Sequence, residues 1–303
     1  MIAIDLGSNS LRFVQRECKT KKFINEYEKI VKTAELLHSD NIISKGAIQR
    51  ILEGFKEAKL LMNFDNESCV AVTTEALRRA DNSQEVIEEI YQETGVRFKV
   101  IGASKEAELT LTAVDKRLES LGFKGSFILI DIGGGSTEII FKKGNLSESK
   151  SFPVGIVTMA SKYPSKEEVR QHLEEELSQI KAYAKEYYER EGKPDFFVAT
   201  AGTPTTISAF LQGMNYNNYD ASRINGSTLN YFDCEMALDR LLDFSFDERA
   251  SYVGVGREEL IISGVMIYAG FFRVLDFEDS VIIDDGLREG LAILACEERL
   301  NLF

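Results

Sequence analysis

Histidine is nearly absent from this chain, and that absence shapes any chemistry it can do. Only His38 and His172 occur in 303 residues. Both stand in polar stretches away from the glycine-rich motifs, so acid–base work falls to carboxylates. Cysteine is also sparse. Cys18, Cys69, Cys234 and Cys296 are scattered, with no Cys-x-x-Cys pair and no histidine partner. That argues against a zinc site or a disulfide framework and predicts reduced thiols in a cytoplasmic protein. No apolar run is long enough to cross a bilayer. The longest, Leu260 to Phe272, stops at Arg273 and contains Gly264 and Gly270, which suits close helix packing in a core. The opening residues read as a strand and leave no room for a secretory leader. Positive charge is in deficit, with 36 basic against 49 acidic residues and a net charge of -13. This argues against non-specific nucleic-acid binding, which needs a basic surface. The same field repels an anionic substrate, so an anion site would need local arginines, backbone amides and a divalent cation. The pattern G-x-x-x-x-G-K-[ST] is missing, which excludes a P-loop protein.

What is present is a repeated phrase. Met1 to Ile4 runs into Asp5-Leu6-Gly7-Ser8-Asn9-Ser10, and Phe127 to Ile130 runs into Asp131-Ile132-Gly133-Gly134-Gly135-Ser136. Each copy is a short apolar run ending in Asp, then a turn of small residues, then a second β-rich run (Leu11 to Val14; Thr137 to Phe141). Such a turn exposes backbone N–H groups in a concave arc that suits a phosphate. The Asp stands where a carboxylate can hold a metal on that phosphate. Because the turn joins strand to strand, it is not a dinucleotide-binding fingerprint. Two such hairpins predict two related domains facing one anion across a cleft, and 303 residues suffice for both.

The remaining pattern alternates strands and helices, the signature of an α/β protein. Strands are expected at Ile24 to Leu36, Cys69 to Thr73, Phe98 to Ile101, Ser149 to Val154, Asp195 to Thr200 and Val281 to Ile283. Ser44 is expected to cap a helix with Ile48, Ile51, Leu52, Phe55 and Leu61 on its apolar face. A second helix runs from Ser83 to near Gly95, and Ser104 caps a third ending near Gly122. Ser165 and Glu168 form a capping box for one long helix to about Gly192, whose Glu174, Glu175 and Glu176 form a solvated face. Ala201-Gly202-Thr203 opens another strand–turn–helix. Helices follow around Cys234 to Leu242, Glu258 to Leu275 and Leu287 to Leu300. No low-complexity linker separates the halves.

Read from position alone, several residues carry two meanings. Glu106, in the first turn of the helix after Ser104, is either a general base for water or a complement to the helix dipole, with Glu108 as a competitor. Arg78 and Arg79 follow the Thr73-Thr74 turn and are either phosphate forks or surface helix arginines. Glu138 is either a metal ligand or an exposed strand residue. Asp5 and Asp131 end buried apolar runs, which is unfavourable for an acid unless it is paired or ligates something.

Together these segments resemble the exopolyphosphatase/guanosine pentaphosphate phosphohydrolase (Ppx/GppA) family of the actin, Hsp70 and sugar-kinase superfamily. The resemblance spans essentially the whole chain. It rests on residues 4–10, on Asp131 to Glu138, on Asp285-Gly286-Leu287-Arg288-Glu289-Gly290, on Thr73 to Asn82 and on Ala201-Gly202-Thr203. It implies two actin-like (ribonuclease H-like) domains with a deep interdomain cleft. The first would hold residues 1–121 and 286–303, the last helix returning to it, and the second residues 122–285. It implies an Mg2+-dependent hydrolase releasing terminal phosphate from polyphosphate or from guanosine penta/tetraphosphate. Glu106 then corresponds to the water-activating glutamate, and Asp131 and Glu138 to acidic residues tied to metal and catalysis, with Asp5 as a further metal ligand. Gly7, Ser8, Asn9, Ser10, Gly133, Gly134, Gly135, Ser136 and Thr137 correspond to phosphate loops. Arg78 corresponds to a phosphate-contacting arginine, and Gly202 and Thr203 to the third turn.

The pattern departs at Gly102-Ala103-Ser104-Lys105-Glu106-Ala107-Glu108, where Lys105 replaces an acid and Glu108 an arginine. It departs again where Val253-Gly254-Val255 replaces Pro-Gly-Leu. The length is that of the short members, lacking a helical extension for long polymer. Neither membrane nor nucleic acid is expected as a partner, and the state is monomer or homodimer. The rivals are an ATP-binding kinase or ATPase of the same fold, using the Ala201 to Ala209 turn, and a non-catalytic polyphosphate or guanosine-nucleotide sensor.

Overall fold

In the computed structural model of the chain, residues 1–37, 39–65 and 67–302 are described. His38 therefore lies outside the described residues. The chain divides into two compact units, Met1–Val114 with Asp285–Phe303, and Asp115–Asp284.

The first unit contains β1 (Ile2–Leu6), β2 (Ser10–Glu17), β3 (Lys22–Ile30), α1 (Lys45–Leu61), β4 (Cys69–Thr73), α2 (Glu75–Arg79), α3 (Ser83–Thr94) and β5 (Lys99–Val100). It also contains the start of α4 (Ala103–Leu121), within which the division falls. Its sheet has the order β3-β2-β1-β4-β5. β1, β2 and β3 form an antiparallel meander, while β4 and β5 add in parallel.

The second unit repeats this order as β8-β7-β6-β9-β11 and adds β10 at the edge. Its strands are β6 (Phe127–Ile132), β7 (Thr137–Lys143), β8 (Leu146–Phe152), β9 (Phe196–Thr200), β10 (Thr228–Asn230) and β11 (Asp279–Ile282). Its helices are α5 (Ile156–Lys162), α6 (Lys166–Glu176), α7 (Ser178–Glu191), α8 (Gly202–Leu211), α9 (Ala221–Ile224), α10 (Tyr231–Asp243), α11 (Phe246–Val253) and α12 (Leu260–Leu275). The last helix, α13 (Leu287–Cys296), belongs to the first unit.

Strand alternation decides which side chains are buried where. Ile2, Ile4 and Leu6 of β1 join Ile48, Ile51 and Phe55 of α1 in one core. Ala3 faces the other way, into a cluster with Leu109 of α4 and Leu287, Leu291 and Leu294 of α13. Asp5 therefore shares the face that α13 covers. The approach of α13 is close enough that a Cβ on Gly290 would overlap the backbone carbonyl of Leu109, so only glycine fits there. In the second unit Ile128, Ile130 and Ile132 enter the large core built around α12. The alternate positions Leu129 and Asp131 face the opposite side.

Several sequence expectations hold locally. Ser44 caps α1 by accepting the Ala47 amide, and the Ser165–Glu168 capping box opens α6. Others need correction. The single helix expected from Ser165 to Gly192 is broken at Leu177 into α6 and α7, where Leu177 is 1 % exposed and packs into the core. The strand expected to reach Leu36 stops at Ile30, because residues 31–37 fold back on the first glycine turn. Ser104 is not a cap. It is the second residue of α4, whose first turn hangs on the Gly102 carbonyl through the Lys105 and Glu106 amides at 3.0 and 3.1 Å. The cysteines are not all reduced: Cys18 and Cys296 form a disulfide across 278 residues, with Cα atoms 5.2 Å apart. Spacing concealed this pair, because the return of α13 brings together residues that the sequence holds far apart. Cys69 and Cys234 are free thiols. Among the described residues no helix is long and apolar enough to cross a membrane.

Candidate active site

In the first unit, β1 ends at Leu6 and the turn closes with the Gly7 amide bonded to the Ser10 carbonyl at 3.0 Å. Ser8, Asn9 and Ser10 are buried. The folded-back segment explains how. The Val31 and Lys32 amides bond the Asn9 carbonyl at 2.9 and 3.0 Å, and the Ala34 amide bonds the Ser8 carbonyl at 2.9 Å. In a trans peptide the C=O of one residue and the N–H of the next point in opposite directions. Tying down these two carbonyls therefore aims the Asn9 and Ser10 amides away from residues 31–34. In addition, Asn9 Nδ2 is a buried donor with no hydrogen-bond partner among the described residues, and such a group is unfavourable unless a ligand satisfies it.

The second unit uses the same device. Gly133 N bonds Ser136 O at 2.9 Å. The start of α5 grips the turn carbonyls, Ile156 N to Gly133 O at 3.0 Å and Val157 N to Gly134 O at 2.8 Å. Thr158 Oγ1 reaches Gly135 O at 3.0 Å. The amides of Gly134, Gly135 and Ser136 therefore point away from α5 as a row of donors, the arrangement that binds anions. A Cβ on Gly155 would overlap Gly134 O, so this glycine lets α5 approach the turn. Neither residues 31–34 nor the start of α5 stood out in the sequence, because their role runs through backbone atoms.

Arg78 and Glu106 come together in the first unit. β4 is fixed beside the glycine turn by Thr73 Oγ1 donating to Leu6 O at 2.8 Å, and α2 follows directly. From α2, Arg78 Nη1 donates to Ile101 O at 2.8 Å and lies 3.5 Å from Glu106 Oε2. Its Nη2 donates to Glu75 Oε2 at 2.5 Å. Glu75 also lies 3.7 Å from Arg79. The Glu106 side chain is 12 % exposed, whereas Glu108 is 52 % exposed and paired with Lys105 at 2.6 Å. The structure thus joins Glu106, and not its competitor, to the arginine. The bond from Glu75 was missed because its position in the motif carried no recognised role.

The acidic residues expected to hold metal stand in both units, Asp5 in the first and Asp131 and Glu138 in the second. Asp5 is paired in register with Arg12, which lies 3.5 Å from Glu28. Asp131 is paired in register with Glu138 in the second unit. Directly opposed residues of antiparallel strands share a face, so Asp131 and Glu138 form a pair of adjacent carboxylates. Glu138 is buried, and its Oε1 accepts from Ser136 Oγ at 2.8 Å and Ser151 Oγ at 2.7 Å. Among the described residues no three acidic, histidine or cysteine side chains gather as a ready-made metal cage. Two adjacent carboxylates still fit Mg2+, which is commonly held by one or two carboxylates with water and substrate phosphate. Asp5 shares its sheet face with Arg12.

At the third turn, Gly202 opens α8 and Thr203 is buried against α12, where a Cβ on Gly264 would lie 2.5 Å from Thr203 Oγ1. Ala201 before them has φ 71° and ψ -178°, a region that alanine rarely occupies. The Asp285 to Gly290 motif anchors α13. Glu289, 5 % exposed, accepts from Gly286 N at 2.8 Å and from Arg288 Nε at 2.5 Å, and Arg288 Nη2 reaches Glu26 at 2.8 Å. His172 stacks on Tyr163 with ring centroids 4.7 Å apart and has no place among these groups.

A family model described as the Ppx/GppA phosphatase family matches residues 14–297. The chain belongs to that family. It is 27% identical to exopolyphosphatase 1 of Mycobacterium leprae over 96% of this chain and 87% of that protein. It is 26% identical to a bifunctional 3-dehydroquinate synthase/phosphatase of Fusobacterium nucleatum, covering 93% of this chain but spanning only 44% of that relative. The crystal structure of the Aquifex aeolicus Ppx/GppA family member superposes with a TM-score of 0.74 at 28% identity, covering 99% of this chain and 98% of that one.

Proposed function

We propose that the chain hydrolyses phosphoanhydrides, releasing the terminal phosphate of inorganic polyphosphate, with guanosine pentaphosphate as a second polyphosphorylated substrate. Family membership and the likeness to an exopolyphosphatase support the substrate class. The observation that carries the chemistry is the Arg78–Glu106 pair, 3.5 Å apart in the unit that holds the amide-lined turn of residues 7–10. The turn amides and Asn9 Nδ2 bind phosphate oxygens, and Arg78 adds positive charge beside them. Glu106 orients a water and takes its proton as the oxygen attacks phosphorus in line with the leaving phosphate. Asp131 and Glu138 would hold Mg2+, which when bound supplies charge neutralisation at phosphate oxygens. Positioning and charge stabilisation of this kind account for most of the catalysis expected in phosphoryl transfer.

The test is phosphate release from polyphosphate, guanosine pentaphosphate and ATP with Mg2+, comparing wild type with Glu106→Gln. The variant should lose about 10²-fold or more of the turnover, the scale of a removed general base. Unchanged turnover overturns the role of Glu106. Transfer to an added acceptor in place of release to water supports a kinase. Tight substrate binding without release supports a sensor.

A further inference from the structure

Arg78 is shared unequally between two carboxylates. Glu75 takes Nη2 in a 2.5 Å hydrogen bond and the Ile101 carbonyl takes Nη1 at 2.8 Å, while Glu106 stands 3.5 Å from the same Nη1. An arginine bound to a buried carboxylate tends to form a bidentate fork with it, and that would withdraw the Glu106 lone pairs from water. Here the side chain one turn back on α2 claims the far edge of the guanidinium. Glu75 is 21 % exposed and lies 3.7 Å from Arg79, so it balances both cations.

We infer that Glu75 is a positioning residue for the proposed hydrolysis: it holds the Arg78 guanidinium back from Glu106, at the expense of affinity for the anionic substrate. This rests on the reading of Glu106 as general base. The charges explain the second half of the claim. Glu75 sets one negative charge against Arg78 and Arg79 on a protein of net charge -13. A polyphosphate must compete with Glu75 for Nη2. Removing the Glu75 charge makes the surroundings of the two arginines one unit more positive, which binds a polyanion better. It also frees Arg78 to close on Glu106 as a tight ion pair, which weakens the base. Affinity should then rise while turnover falls, so that KM and kcat go down together.

The experiment measures kcat and KM for phosphate release from polyphosphate with Mg2+ in wild type, Glu75→Gln, Glu75→Asp and Glu106→Gln, with melting temperature as a check on folding. Glu75→Gln should lower KM about 3-fold or more and lower kcat by about 3- to 10-fold, the effect of about half a pKa unit to one unit on the base. Glu75→Asp keeps the charge and should restore most of both. A rise in KM with kcat unchanged, or a fall in kcat with KM unchanged and no rescue by aspartate, overturns the inference. If Glu75→Gln fails to fold, Glu75→Asp still decides: KM and kcat both near wild type support the inference, and a raised KM or a strongly reduced kcat refutes it. Should wild type release no phosphate, or Glu106→Gln retain full turnover, the proposed function fails instead, and the two failures are told apart by those two proteins.

Discussion

The Cys18–Cys296 bridge should contribute a measurable share of the stability of the first unit. The bond closes a loop of 278 residues, but residues 115–284 form a compact unit of their own within it. If the first unit melts while the second stays folded, the flexible part of the loop is about 110 residues, for which chain entropy gives about 5 kcal/mol, and bridges commonly deliver about 2–4 kcal/mol. With a urea dependence of about 1–3 kcal/mol per molar, this corresponds to a shift of roughly 1–2 M in the transition midpoint. The chain has no tryptophan, so far-UV circular dichroism in urea, with and without a thiol reductant, is the suitable assay. The oxidised protein should unfold later, and the Cys18→Ser/Cys296→Ser double variant should unfold at the reduced midpoint whether or not reductant is present. Coincident transitions for oxidised and reduced protein would refute the reasoning. They would mean either that the thiols are not joined in the folded chain or that closing the loop restrains the unfolded chain very little.

Two further outcomes follow from single contacts. Gly290→Ala adds a methyl group that overlaps the Leu109 carbonyl; although alanine ordinarily favours a helix, this variant should lose about 1–3 kcal/mol of stability in urea unfolding, the scale of an overpacked core. Asp195 accepts from the Ser126 amide at 2.6 Å and the Ser126 hydroxyl at 2.8 Å, and these bonds hold its carboxyl below the usual range. A depressed carboxyl stabilises the fold above its unfolded pKa and loses that contribution as pH falls through the folded value. Asp195→Asn should therefore lose about 1 kcal/mol or less near pH 7, since the group is exposed, and the difference in melting temperature from wild type should vanish near pH 2.

The legible part of the fold was the part written in local pattern. Both hairpins could be read because an apolar run of period two, an Asp and a small-residue turn each leave a mark in sequence, and the serine caps of α1 and α6 did the same. The capping box Ser245–Glu248 of α11 carried an equal signal and was overlooked. What resisted reading was tertiary. The break at Leu177 exists because the core takes that side chain, not because of any breaker residue. The chain leaves the strand after Ile30 because the amides of Val31, Lys32 and Ala34 find the carbonyls of Asn9 and Ser8. Among the candidate residues, residue types announced Glu106, Arg78, Asp131 and Glu138, and the structure pairs the first two within the first unit and the last two within the second. The groups that orient the turns are backbone atoms, and Glu75 is one glutamate among many. Position in space alone distinguishes them.

The return of α13 has a consequence for how the molecule is made. The sheet face carrying Ala3, Val14 and Val72 receives part of its cover from Leu287, Leu291 and Leu294, beside Leu109 of α4, and the ribosome adds these three leucines after every residue of the second unit. The first unit therefore waits, one apolar flank only partly covered, while its successor is synthesised and can fold whole. Any folding helper that shields nascent chains would find its binding surface there, and release from it would coincide with the arrival of the final helix.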